Sequence, residues 1–64
     1  MKVKYDKETD IIYISLNSDP IKESDESKPG IIIDYSEQGF IVGIEILDAS
    51  KKIPQPMKVE YEVA

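Results

Sequence analysis

Gly30-Ile31-Ile32-Ile33-Asp34-Tyr35-Ser36-Glu37-Gln38-Gly39-Phe40-Ile41-Val42-Gly43-Ile44-Glu45-Ile46-Leu47-Asp48-Ala49-Ser50 reads as two β-branched strands joined by a polar turn, followed by a helical turn. Ile31, Ile33 and Tyr35 share one face of the first strand, with Ile32 and Asp34 on the other. Ser36 to Gly39 suits a hairpin loop, and Gly39 stands where a left-handed residue is wanted. Phe40, Val42, Ile44 and Ile46 then alternate with Ile41, Gly43, Glu45 and Leu47. Asp48 is placed to cap a short helix whose last turn carries Lys51 and Lys52, and Pro54 and Pro56 end it.

The rest of the chain extends this β pattern. Lys2 to Asp6 alternates, with Val3 and Tyr5 against Lys2 and Lys4. The polar connection 6–10 leads to a second strand, Ile11 to Leu16. Ile12, Ile14 and Leu16 share one of its faces and Ile11 and Tyr13 the other. Asn17 to Pro20 is dense in turn formers, and residues 21–28 read as a charged loop or a poorly buried edge strand. Residues 57–63 alternate without error, Met57, Val59, Tyr61 and Val63 against Lys58, Glu60 and Glu62. That pattern predicts an extra edge strand beside residues 2–6, with Lys2 and Lys4 next to Glu60 and Glu62, within one chain or across a dimer. The fold class is mainly β, α+β at most: an antiparallel β-meander of four to five strands with one short helical turn. Residues 1–53 form a single β-rich domain and residues 54–64 a C-terminal extension.

Composition narrows the function classes. The 64 residues carry 8 Lys and 13 Asp or Glu, a net charge of -5, and no Cys, His or Trp. The cationic residues are all Lys. A chain this acidic repels phosphate backbones, so a nucleic-acid partner is not expected. No apolar run approaches the ~20 residues of a membrane-spanning helix, and the alternating N-terminus has no signal-peptide core. A cytoplasmic protein without a membrane role is the expectation. Without Cys or His there is no thiolate or imidazole metal site, no disulfide staple, and no Ser-His or Cys-His nucleophile pair. No enzymatic activity and no cofactor are expected. A chain of this size leaves about 40% of its unfolded surface exposed. Several strands are apolar on both faces, so a homodimer is expected to cover what one short helix cannot.

Two constellations bear on binding. From Asp34, the residues Asp34, Ser36, Gln38, Gly39, Ile41 and Glu45 fall at the ligand spacing of a calcium loop. The flanks are strands rather than helices, and alternation runs through the second half of that loop, so a glycine hairpin accounts for the same residues. The acidic run Glu23-Ser24-Asp25-Glu26-Ser27 reads either as a solvated guard of a sheet edge or as a docking segment for a basic protein.

The chain resembles a small prokaryotic family, domain of unknown function 2283. The resemblance rests on Lys2 to Asp6, Ile11 to Leu16, Gly30 to Tyr35 and, most distinctively, Val42 to Ser50. Two features depart from it. Family members commonly carry an Arg in the turn region, where this chain has Phe40 after Gly39, and the Pro-containing tail has no counterpart. The resemblance implies no activity and no catalytic residues. Some family members look like partners of small toxin-like proteins, which implies an antitoxin-like role. The expected function is a non-enzymatic protein–protein interaction module, antitoxin-like or regulatory, with Glu23, Asp25, Glu26 and Glu45 meeting a basic partner protein. The alternative is a small metal- or metabolite-binding protein using Asp34, Glu45 and Asp48.

Overall fold

A computed structural model describes residues 1–64. Five strands, β1 (Lys2–Asp6), β2 (Ile11–Ser15), β3 (Glu23–Lys28), β4 (Ile31–Tyr35) and β5 (Ile41–Ile46), form one open sheet, followed by α1 (Ala49–Lys52). The order across the sheet is β1-β2-β5-β4-β3, and every neighbouring pair is antiparallel. The meander is therefore built in two pieces, the β1–β2 hairpin and the β3–β4–β5 run, joined where β2 pairs with β5. The connection 16–22 carries the chain from the middle of the sheet to its far edge.

Register places side chains in rows across the sheet. On one face run Val3, Ile14, Ile44 and Ile33, ending at Asp25 on β3. The next row on that face runs Tyr5, Ile12, Ile46 and Ile31, ending at Lys28. This apolar face is the core side, and it is thinly covered. The only buried hydrophobic residues are Ile12, Val42 and Ala49, and no large side chain is fully enclosed. The other face carries the rows Lys4, Tyr13, Glu45, Ile32, Glu26 and Lys2, Ser15, Gly43, Asp34, Ser24. Alternation assigned the faces of β2 and β4 correctly. On β5 a bulge intervenes: Asp34 pairs with Gly43 but Tyr35 pairs with Ile41, so the side assigned from Ile44 and Ile46 does not carry back to Phe40 and Ile41.

Of the two readings open for residues 21–28, the edge strand holds: β3 spans Glu23–Lys28, with all six of its residues exposed. Residues 57–63 form no strand within the single chain, where Lys58 pairs with Glu60 and the expected pairing of Glu60 and Glu62 with Lys2 and Lys4 is not made. Met57 shares an apolar hollow with Ile12, Ile14, Ile46 and Ile53, and Val59 borders the same hollow beside Met1 and Val3.

Asp48 does not cap α1. It sits in the left-handed region at φ 51° and its side chain makes no capping hydrogen bond. The first amides of the helix are met by Asp10, from the β1–β2 turn. Ala49 N donates to Asp10 O at 2.9 Å. Ser50 N and Ser50 Oγ donate to the two Asp10 carboxylate oxygens at 3.0 and 2.7 Å. Tyr5 Oη donates to the same carboxylate at 2.8 Å. One side chain thus does the work of an N-cap from 40 residues away in the chain, and ties β1 to the helix. These donors hold the Asp10 carboxyl below its ordinary value, the Ser50 side chain first and Tyr5 next. At the other end of α1, Lys52 donates its ammonium to the Leu47 carbonyl.

If Asp10 is the cap, Asp10→Ala lowers the melting temperature, while Asp48→Gly, which keeps the left-handed backbone and removes the carboxylate, does not lower it. Thermal denaturation followed by circular dichroism compares the two; the reverse order would restore Asp48 as the cap.

Candidate functional site

The polar face holds the one buried charged side chain of the sheet. Asp34, on β4, is 3% exposed. Ser24 Oγ on β3 donates to its Oδ1 at 2.6 Å, and Tyr13 Oη on β2 approaches its Oδ2 at 3.3 Å. Tyr13 must cross β5 to make that contact, and Gly43 is what lets it cross. A Cβ on Gly43 would lie 2.3 Å from Tyr13 Oη and 2.7 Å from its ring carbon Cζ, far inside van der Waals contact. Gly43 therefore belongs to the network through the side chain it lacks. The carboxylate is buried with partners on both oxygens, and no buried side-chain polar atom in the chain is left without one.

Glu45 is half-buried in the same face, opposite Tyr13 on one side and Ile32 on the other. Burial raises the Tyr13 phenol above its ordinary value, and the negative charges of Asp34 and Glu45 and the Asp34 hydrogen bond act in the same direction. Lys4, Asp6, Thr9, Ile11, Tyr13 and Glu45 line a shallow open hollow beside β1.

The four residues expected to bind a partner are not on one patch. Glu23 and Asp25 lie on the apolar side of β3, opposite Tyr35 and Ile33. Glu26 and Glu45 lie on the polar face, in one row with Ile32 between them. Glu26 is also engaged locally, since its Oε2 accepts the Gly30 amide at 2.8 Å and closes the β3–β4 turn. The edge strand β3 is what unites Glu23, Asp25 and Glu26, while Glu45 stands two strands inward.

Asp34, Glu45 and Asp48 do not converge either. Asp34 and Glu45 are on neighbouring strands, Asp48 lies beyond the end of β5, and no three carboxylates in the chain group together to hold a metal ion. The stretch with calcium-loop spacing is the β4–β5 hairpin. Ser36 N donates to Phe40 O at 2.8 Å and Gly39 N to Ser36 O at 3.0 Å, and Gly39 takes φ 88°. Sequence reasoning singled out Asp34 and Glu45 but missed Tyr13 and Ser24 as the partners of Asp34 and Gly43 as the residue that admits Tyr13. Ser24 shares a row with Asp34 and Tyr13 reaches it diagonally from the next row, and both relations follow from register, which is not readable from one strand alone.

Two outcomes follow from this geometry. Gly43→Ala forces the Tyr13 ring off β5 and costs about 1–3 kcal/mol in urea unfolding; the cost shrinks in a Tyr13→Ala background, and an equal cost in both backgrounds would separate Gly43 from Tyr13. The raised Tyr13 phenol favours the folded state while protonated, so its contribution is whole below the ordinary tyrosine value of about 10 and is lost as pH rises through the folded value. Stability measured between pH 9 and 12, on the order of the phenol range, falls more steeply for the wild type than for Tyr13→Phe; parallel curves would contradict this.

No curated protein and no solved structure matches the chain. No helix in it is long and apolar enough to cross a membrane. The family model described as "Protein of unknown function (DUF2283)" matches residues 2–50, which take in all five strands and the start of α1. The chain belongs to that family, and its tail lies outside the matched residues.

Proposed function

We propose that this chain is a non-enzymatic, acidic interaction module of the prokaryotic cytoplasm, antitoxin-like or regulatory in role, that binds a basic partner protein along strand β3. The observation that carries the reading is the position of the acidic segment. Glu23–Lys28 is the outermost strand of the sheet, and all six of its residues are exposed. An edge strand presents a row of unpaired amides and carbonyls, which a partner segment fills by adding a strand. The carboxylates select which segment does so. Two β3 strands facing each other would set like charges opposite one another, which is destabilising, whereas a basic strand gains opposite Glu23, Asp25 and Glu26. The net charge of -5 adds long-range attraction for the same class of partner.

Glu23, Asp25 and Glu26 are the contact residues in this reading. Glu45 contributes through the polar face, two strands behind the edge. The metal- or metabolite-binding alternative lacks comparable support, because its three residues are spread over β4, β5 and the segment beyond.

The test is affinity capture with the tagged full chain at low and moderate salt, run beside Glu23→Lys/Asp25→Lys. A basic protein is expected at one-to-one stoichiometry with the wild type, weakened by salt and lost with the variant, and it shifts the NMR signals of β3 when added back. A companion retained equally by the variant, or none at either salt, contradicts the proposal.

A further inference from the structure

We propose that two copies of this chain exchange their C-terminal segments, so that residues 58–63 of each copy add as an antiparallel strand to the β1 edge of the other. Three observations converge on this pairing. β1 is the second edge of the sheet, and all five of its residues are exposed. No backbone hydrogen bond outside the strands and helix involves a residue beyond Ile53, so the tail uses none of its own amides on the chain it belongs to. Of the nine large hydrophobic side chains that stand exposed, six are Met1, Val3, Tyr5, Val59, Tyr61 and Val63. The exposed apolar surface of the molecule is thus concentrated on one strand edge and one unpaired segment.

The two segments are complementary at every position in a single register. Set antiparallel with Val3 opposite Tyr61, they bring Tyr5 opposite Val59 and Met1 opposite Val63 on the apolar face. The same register brings Lys2 opposite Glu62, Lys4 opposite Glu60 and Asp6 opposite Lys58 on the polar face. All three charged pairs are opposite in sign, and each favourable cross-strand pair adds to the ladder. A parallel arrangement keeps the two lysine pairs and loses the pair with Asp6. The faces agree as well. Lys2, Lys4 and Asp6 already lie on the polar face beside Tyr13 and Ser15, so the added strand extends the apolar rows with apolar residues.

A second copy, rather than the chain's own tail, is the occupant. The tail leaves α1 across the apolar face, with Met57 in the hollow formed by Ile12, Ile14, Ile46 and Ile53. Val59 and Tyr61 line a shallow hollow with Met1 and Val3 of the same chain, yet residues 57–63 form no strand there and make no backbone hydrogen bond to β1. Beyond Met57 the six residues 58–63 reach about 20 Å when extended, several strand widths. That span carries them off their own face to a neighbouring edge without displacing Met57. Two-fold symmetry makes the exchange mutual, each copy giving and receiving one strand, and the result is a closed dimer. Within the isolated chain Lys58 pairs with Glu60, two exposed groups in an ion pair of the kind that contributes little. Exchange replaces that pair by the ladder.

Charge reversal on either side tests the pairing. Lys2→Glu/Lys4→Glu and Glu60→Lys/Glu62→Lys are each expected to weaken self-association roughly tenfold or more at low salt. Mixed in equal amounts they restore it, because every strand then meets its opposite charge in the other chain. Sedimentation equilibrium reads the masses against the 7.3 kDa of a single chain. A monomeric wild type, variants that associate as the wild type does, or a mixture that stays monomeric overturns the proposal. Hydrogen exchange on the wild type gives a readout free of any folding defect in the variants: alternate amides between 58 and 63 are protected at high concentration and lose protection on dilution. Protection that does not change with concentration assigns the strand to the chain's own β1 and overturns the exchange.

Discussion

The structure depends on a shortage of cover. A five-stranded sheet presents two rows of four apolar side chains on one face, and the chain has one four-residue helix and a tail to lay over them. Sheets this wide are stable when that face is packed against a second layer. Here only Ile12, Val42 and Ala49 reach full burial among the hydrophobic residues. Absent cysteine and histidine, neither disulfides nor a thiolate or imidazole metal site makes up the difference. Six of the nine exposed large hydrophobic side chains gather at the β1 edge and on the tail, where another strand of suitable pattern fits.

Order within the sheet comes from a few specific contacts that compensate for the thin core. Asp10 gathers the helix amides, the Ser50 hydroxyl and the Tyr5 hydroxyl around one carboxylate. Asp34 gathers Ser24 and Tyr13 around another, and thereby links β2, β3 and β4 across β5. Both are charged acceptors with several donors, the kind of hydrogen bond that contributes most per contact. Gly43 belongs to the second cluster because a methyl group there would occupy the space of the Tyr13 hydroxyl.

Much of this was legible in the sequence. Alternation located β1, β2, β4 and β5, the glycine turn located the hairpin, and the family motifs agreed with both. What was not legible has a common cause: it depends on residues far apart in the chain. For residues 21–28 the sequence leaves loop and edge strand open, and β4 decides it by offering a partner, with Asp25 against Ile33 and Glu23 against Tyr35. The helix cap was assigned to Asp48 by local rule and is supplied by Asp10 instead. The tail alternates without error but forms no strand in the single chain, because a pattern of two faces becomes a strand only where an edge accepts it. The separation of Glu23 and Asp25 from Glu26 and Glu45 onto opposite faces follows from strand geometry that the acidic run by itself does not reveal.

The central claim is that this sheet completes its apolar surface with a second copy of itself. Thermal unfolding of the unmodified chain over a wide range of protein concentration tests it most directly, because a fold stabilised by association gains stability with concentration by mass action. The account predicts a melting temperature that climbs steadily as concentration rises. A melting temperature that stays fixed across the range would show that the single chain is sufficient, and would contradict it.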